Sequence, residues 1–105
     1  MKNNSEIDFR PPRLPENTTI LIADDEPDIL EIISFNLRSE GYNVLTANNG
    51  NEAVDLAVKY NPSLIILDLM MPGKTGIEVC KILRSKPNFK ETLIIYLTAI
   101  NDESM

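Results

Sequence analysis

Histidine is absent from this 105-residue chain, and cysteine occurs once. Without histidine the chain cannot form a serine–histidine catalytic triad or a histidine-ligated zinc site, and it cannot carry a phosphohistidine itself. The single cysteine, Cys80, excludes an internal disulfide and fits a reducing cytoplasm. No apolar run approaches the roughly 20 residues that cross a bilayer, and the polar N-terminus lacks the apolar stretch of a signal peptide. We therefore expect a cytoplasmic protein without a membrane segment.

Basic residues are outnumbered by acidic ones. Ten lysine and arginine residues against sixteen aspartate and glutamate residues give a formal net charge of -6. Such a surface repels nucleic acid phosphates and anionic lipid, so direct nucleic acid binding is not expected. The contents of 43% hydrophobic and 25% charged residues are ordinary for a globular protein, and the length suits one domain.

Proline marks the beginning of the chain, where Pro11, Pro12 and Pro15 follow a polar stretch. Because proline fixes φ and lacks a backbone donor, we predict that residues 1–17 form an extended or disordered leader. From Thr18 the composition changes to apolar runs that alternate with helical periodicity. We assign residues 18–105 to one folded domain.

Four short apolar runs have the composition of strands buried on both faces. They are residues 18–23, 44–47, 64–67 and 93–97. Three amphipathic helices are predicted between them, from the apolar spacing that follows Pro27, Gly50 and Gly76. In the first helix Ile29, Leu30, Ile33 and Leu37, with Ile32, are expected to form one apolar stripe that faces inward. Strands that alternate with helices form a parallel sheet with right-handed crossovers. We therefore predict an α/β domain, a doubly wound parallel sheet of flavodoxin-like order.

Acidic side chains follow two of the predicted strands at their carboxyl ends. Asp24 and Asp25 follow the first strand, and Asp68 ends the third. In a flavodoxin-like order the ligand crevice lies between these two strands, so the three carboxylates are expected to meet. Two unit charges about 4 Å apart repel by about 4 kcal/mol at an effective dielectric near 20. The cluster therefore requires either a raised pKa or a cation, and Mg²⁺ suits oxygen ligands. Thr98 offers a hydroxyl to the same crevice.

Each acidic residue has a simpler interpretation when it is taken alone. The Asp-Asp-Glu-Pro run at 24–27 can be a helix N-cap, because carboxylates are favoured at that end of the helix dipole. Asp68 can be an ordinary loop residue, and Thr98 can cap a following helix. A common site is favoured because the predicted fold brings these strand ends together.

Three segments resemble the landmark motifs of response regulator receiver domains, which accept phosphoryl groups in two-component systems. They are Ile20-Leu21-Ile22-Ala23-Asp24-Asp25-Glu26-Pro27, Leu67-Asp68-Leu69-Met70-Met71-Pro72-Gly73 with Gly76, and Leu97-Thr98-Ala99. The resemblance extends from about residue 18 to residue 99. The acidic doublet combined with Asp-Leu-Met-Met-Pro-Gly after a buried strand is a highly specific pattern.

The resemblance implies how the metal and the phosphoryl group are held. Asp68 would be the phosphoacceptor, a carboxylate nucleophile that forms an acyl phosphate, with a histidine kinase or phosphotransfer protein as the donor. Asp25, Asp68 and the backbone carbonyl of Met70 would bind Mg²⁺ directly. Asp24 would act mainly through a metal-bound water.

The resemblance also assigns roles to the residues after the fourth strand. Thr98 would hydrogen-bond a phosphoryl oxygen and shift inward, which makes it the switch residue. Ala99 would leave space for the phosphoryl group because its side chain is small.

The sequence departs from the family pattern near its end. The family carries a lysine at the end of a fifth strand, which pairs with the phosphoryl group, whereas this sequence ends at Met105 and Lys74 lies in another loop. The resemblance implies that a helix, a strand and a final helix are missing, roughly 30 to 40 residues. We therefore expect slow or absent phosphorylation. We also expect an exposed edge along residues 93–97 through which two chains can form a homodimer.

Two other functions fit parts of the pattern. A Mg²⁺-dependent phosphatase of the haloacid dehalogenase type also uses an aspartate nucleophile. That class has a second aspartate two residues further on, where this chain has Met70. A truncated receiver that docks partners without being phosphorylated is the other alternative, and the absent lysine favours it.

Overall fold

A four-stranded parallel sheet forms the centre of the computed structural model, which describes residues 14–97. The strands are β1 (Thr19–Ala23), β2 (Asn43–Ala47), β3 (Leu64–Asp68) and β4 (Leu93–Leu97). The helices between them are α1 (Pro27–Ser39), α2 (Gly50–Tyr60) and α3 (Gly76–Arg84), and a short 3₁₀ helix spans Pro87–Phe89. The strand order β2-β1-β3-β4 confirms the predicted flavodoxin-like fold.

The two central strands are the most buried part of the molecule. Residues 20–23 of β1 and 64–67 of β3 have no exposed surface. In the parallel register Ile20 lies beside Val44 of β2 and Leu64 of β3, and Leu64 lies beside Leu93 of β4. Since both faces of these strands are covered, the continuous apolar runs match their surroundings.

One hydrophobic cluster lies on each face of the sheet, because successive strand residues point to opposite faces. The first face packs against α2 and α3, and its cluster includes Leu21, Ile65, Leu67, Ala53, Ala57, Val79 and Leu83. The second face packs against α1, and its cluster includes Ile20, Ile22, Leu64, Ile66 and Leu37. The sheet therefore holds its helices through two separate cores.

Local sequence signals begin and end the helices. Proline stands at the first position of α1, and the Asn49 side chain accepts a hydrogen bond of 2.8 Å from the Glu52 amide at the start of α2. Ile32 was expected to face inward with the apolar stripe of α1, but its side chain is 59% exposed while Ser34 is buried. Leu30, Ile33 and Leu37 of the stripe face the sheet as expected, because they pack in the cluster on the α1 side. Ile32 was wrongly included, since residues one or two positions apart do not share a helix face. In the described part of the chain no helix has the length and apolarity to cross a membrane.

β4 is an open edge of the sheet. Within residues 14–97 it pairs with β3 alone, and its five residues are at most half-buried. Leu93 and Tyr96 keep 42% and 38% of their surface exposed. Ile94 packs on the α2–α3 side and Ile95 on the α1 side. The described strand thus presents apolar side chains and one unpaired backbone edge.

The predicted leader lies mostly outside the described residues, because the structure describes the chain only from residue 14. Leu14 packs against the cluster on the α1 side, and its amide donates a hydrogen bond of 3.4 Å to the Tyr42 hydroxyl.

The core packing leads to a stability prediction for two leucine-sized side chains of α3. Replacing the fully buried Leu83 by alanine is expected to lower the free energy of unfolding by about 2–5 kcal/mol, because it leaves a cavity against the sheet. Ile77→Ala on the same helix removes a half-exposed side chain and should change the free energy of unfolding by about 0.5 kcal/mol or less. Urea unfolding measures both, and equal losses would contradict the packing described here.

Candidate metal and phosphoryl site

The carboxyl ends of β1 and β3 lie side by side at the centre of the sheet, and both carry acidic residues. Ala23 is the register partner of Leu67, so the chain leaves both strands at the same level. One carboxylate oxygen each from Asp24, Asp25 and Asp68 lies within 4.8 Å of the other two. β1 lies between β2 and β3 in the sheet, so the strand order reverses beside it. Open α/β sheets form their ligand crevice at such a reversal.

Burial differs among the three carboxylates. Asp24 is buried, Asp68 is half-buried and Asp25 is exposed. The cluster therefore extends from the protein interior to solvent, and an ion or a phosphoryl group can approach it from the side of Asp25.

Backbone hydrogen bonds hold Asp24 in place. Its amide donates to the carbonyl of Ala47 at 3.0 Å, and its carboxylate oxygen Oδ1 accepts from the Glu26 amide at 2.9 Å. Glu26, and not Asp24 or Asp25, is the N-cap residue of α1, and its side chain forms no capping hydrogen bond. Helix capping therefore does not account for the acidic doublet.

The loop after β3 is held by contacts on both sides of Met70, its exposed residue. The Met70 amide donates a hydrogen bond of 3.3 Å to the Asp68 carboxylate, and the Met70 side chain is 74% exposed. Met71 is buried in the cluster with α2 and α3. A β-carbon on Gly76 would collide with the carbonyl oxygen of Asp68, so α3 begins in close contact with the strand end. These contacts fix the backbone on which Asp68 stands.

Burial raises the pKa of the Asp24 carboxyl above its ordinary value. The hydrogen bond from the Glu26 amide opposes that shift, and the negative charges of Asp68, Asp25 and Glu26 add to it. A divalent cation among the carboxylates reverses this effect, because it favours their ionised forms.

The donor set fits Mg²⁺. Three carboxylates within one ion's reach supply oxygen ligands and no nitrogen or sulfur ligand, which is the preference of a hard divalent cation. Residues able to hold the ion are Asp24, Asp25 and Asp68, together with backbone carbonyls of the adjacent loop.

Two residues that the sequence assigned to the site, Thr98 and Ala99, lie outside the described residues. Leu97, the last described residue, is the register partner of Asp68. Lys74, considered as a basic candidate, lies with its backbone against the first residue of α2.

The turn between β2 and α2 is a part of the site that the sequence did not indicate. Asn48, Asn49 and Gly50 have the composition of an ordinary turn, but in the structure the turn contacts both acidic segments. The Ala47 carbonyl accepts from the Asp24 amide, and the Gly50 amide donates to the Pro72 carbonyl at 3.1 Å. The Asn49-Gly50 pair indicates a turn, but a local pair contains no information about contact with a loop more than twenty residues further on.

The strand order and the acid-lined crevice define an α/β domain that binds its ligand at the carboxyl edge of a parallel sheet. Residues 20–105 match the family model of the response regulator receiver domain. The chain therefore belongs to the receiver domain family, the signalling modules of two-component systems.

Solved receiver structures have the same fold. The chemotaxis response regulator CheY4 of Vibrio cholerae is 36% identical with a TM-score of 0.76, and the match covers 83% of this chain and 73% of that one. The response regulator TrrA from Thermotoga maritima, solved in complex with Mg²⁺ and BeF, is 44% identical with a TM-score of 0.73. That match covers 81% of this chain and 72% of TrrA. The receiver domain of the Francisella response regulator 1452 is 34% identical with a TM-score of 0.74, over 81% of this chain and 69% of that one.

The raised pKa of Asp24 predicts how stability depends on pH when divalent cations are removed. Because ionised Asp24 is disfavoured in the folded state, the free energy of unfolding should fall as pH rises from the unfolded value, near 3.8, through the higher folded pKa. Asp24→Asn retains an oxygen acceptor for the Glu26 amide and removes the charge. It should therefore be more stable than the original chain at neutral pH and lose this advantage in acid.

Urea unfolding in EDTA at a series of pH values measures this effect. Asp55→Asn, an exposed carboxylate on α2, is the matched control and should keep the original pH dependence. An Asp24→Asn variant with unchanged stability at neutral pH would contradict the prediction.

Proposed function

We propose that this chain is a phosphoacceptor signalling module in which Asp68 receives a phosphoryl group in a Mg²⁺-dependent reaction. The observation that carries the proposal is the clustering of Asp24, Asp25 and Asp68 at the crevice between β1 and β3. Membership of the receiver family and the relative solved with Mg²⁺ and BeF support it. Residues 1–105 contain no histidine, so the phosphoryl donor is a histidine outside them, in a histidine kinase or phosphotransfer protein.

In this proposal the acidic residues divide the work of holding the ion. Asp25 and Asp68 would hold Mg²⁺ directly together with the backbone carbonyl of Met70, and the more buried Asp24 would act through a bridging water. When bound, the ion neutralises the carboxylates and the phosphoryl oxygens that approach them.

The chemical step is carried by Asp68. Its carboxylate oxygen attacks phosphorus, an acyl phosphate bond forms, and the bond from phosphorus to the donor histidine nitrogen breaks with its electron pair left on that nitrogen. The protein contributes mainly positioning and neutralisation of charge. We propose that Thr98 hydrogen-bonds the transferred group and moves with it, and that Ala99 leaves room for it. The module acts only on itself, so it is not an enzyme with turnover.

The organisation of the chain follows from the same proposal. We propose that residues 18–105 form the receiver domain and that the leader before it, residues 1–17, contacts the domain through Leu14 and the Asn17 amide. The single cysteine fits a location in the cytoplasm, where the kinases of such systems present their phosphohistidine. A phosphatase of the haloacid dehalogenase type is disfavoured because Met70 stands where that class has its second aspartate.

Beryllofluoride, which mimics a phosphoryl group, tests the proposal. Addition of Mg²⁺ and beryllofluoride to isotope-labelled protein should shift the amide resonances of Asp68 and Met70, because the complex forms on the Asp68 carboxylate. Asp68→Asn should remove the shifts and keep the fold, and Asp55→Asn should leave them unchanged.

The same experiment separates the two main functions. Unchanged resonances in the folded protein at millimolar Mg²⁺ would favour a receiver that docks partners without phosphorylation. Labelling by acetyl phosphate gives a second measure, and it should require both Mg²⁺ and the Asp68 carboxylate.

We also propose that two copies of the chain pair through β4. The five residues of this strand are apolar and contain neither charge nor proline, the usual protections of an edge strand. An antiparallel pair of identical edges is self-complementary, since each strand offers the other the same alternation of donors and acceptors. Pairing would also cover Leu93 and Tyr96, the two most exposed side chains of the strand.

The dimer predicts a specific effect of a charge on this edge. Leu93→Lys should shift the chain toward monomer in sedimentation equilibrium, because a lysine on an edge strand opposes pairing. Ile32→Lys places the same charge at an exposed apolar position of α1 and should not change the association. A monomeric original chain at high micromolar concentration would refute the dimer.

A further inference from the structure

The β2–α2 turn, residues 47–50, is hydrogen-bonded to both segments that carry the acidic site and contributes none of its carboxylates. At one end the Ala47 carbonyl accepts a hydrogen bond of 3.0 Å from the Asp24 amide. At the other end the Gly50 amide donates a hydrogen bond of 3.1 Å to the Pro72 carbonyl, in the loop that follows Asp68. The turn is therefore bonded to both segments that carry the carboxylates.

No side chain fits at Gly50. A β-carbon there would lie 2.6 Å from the β-carbon of Lys74 and 2.8 Å from its carbonyl carbon, closer than the 3.0 Å that real β-carbons keep. Gly50 has helical backbone angles, which any residue can adopt. Glycine is therefore required by the close approach to Lys74 and not by the backbone conformation. By contrast, Gly41 and Gly73 have positive φ values of 97° and 83°.

Of the two segments in contact, α2 is held in the core, whereas the loop next to the contact is exposed at Pro72 and Gly73. Ala53 and Ala57 are fully buried against the sheet, and the Asn49 side chain caps the helix. The opposing loop exposes Met70, and the Met70 amide is bonded to the Asp68 carboxylate. A larger residue at position 50 would therefore displace the loop, and the displacement would reach the Asp68 carboxylate and the Met70 backbone.

We propose that Gly50 is a positioning residue of the cation site: by allowing α2 to contact the loop at Lys74, it sets the position of Asp68 and Met70 relative to Asp24. The proposal rests on the proposed binding of Mg²⁺. It adds a residue that touches neither the ion nor the phosphoryl group.

Gly50→Ala tests the proposal, with Gly41→Ala as the matched control. Gly41 follows α1, and its positive φ makes alanine strained there, but a β-carbon would meet only Glu16 at an ordinary 3.5 Å. Both variants lose stability, and only Gly50→Ala disturbs the site. For each full-length protein, Mg²⁺ affinity is measured by amide resonance titration, and the urea midpoint gives the stability.

Gly50→Ala is expected to weaken Mg²⁺ binding by about tenfold, as loss of an outer-shell partner does, and to shift the Asp68 and Met70 amide resonances before any metal is added. Gly41→Ala should lower the urea midpoint with its Mg²⁺ affinity and these resonances unchanged. Asn49→Ala removes the helix cap without adding an atom to the contact. Asn49→Ala should also weaken Mg²⁺ binding, and it provides the test of the contact between α2 and the loop if Gly50→Ala does not fold.

The outcomes distinguish this proposal from the proposed function. If the original chain does not bind Mg²⁺ at millimolar concentration, the proposed function fails and the role of Gly50 fails with it. If the original chain binds and the Gly50 variant binds equally well with unshifted resonances, only the role of Gly50 is overturned. Equal weakening by Gly41→Ala would also overturn it, because the effect would then reflect lost stability alone.

Discussion

Repulsion among three carboxylates at one edge of the sheet is the constraint around which this molecule is arranged. Carboxylate oxygens within 4.8 Å of one another, one of them on a buried side chain, repel and oppose folding, so other parts of the fold must supply the stability that keeps them together. The two strands that carry them are the central pair of the sheet, and residues 20–23 and 64–67 are completely buried. The stability of two hydrophobic cores thus offsets the electrostatic cost of keeping the site assembled.

Around the site, buried residues with fixed positions alternate with exposed ones. Met71 is buried between α2 and α3, whereas Met70, its neighbour, is mostly exposed. Asp24 is buried and held by backbone groups, whereas Asp25 is open to solvent. This alternation allows a fixed set of ligands to remain accessible to an ion and to a phosphoryl donor, which a fully buried cluster would exclude.

Two strands form the edges of the described sheet. β2 pairs with β1 and contacts α1 and α2, and β4 pairs with β3 alone; both edge strands are mostly half-buried or exposed. Leu97 at the end of β4 is the register partner of Asp68, so this edge lies directly beside the site. A proposed partner along β4 would therefore bind close to the phosphoacceptor, and the two proposals concern adjacent parts of one surface.

The sequence by itself determined the order of elements, because continuous apolar runs and helical spacing are local properties of the chain. Residues 93–97 were predicted as a strand with the bounds that the structure has, and the fold class followed from the alternation. Only the tertiary structure decided that Ile32 lies outside the stripe of α1 that faces the sheet, and how deeply each carboxylate is buried. It also placed Gly50 against Lys74, since a contact between residues so far apart in sequence depends on how two helices pack on the sheet and leaves no periodic signal in the chain.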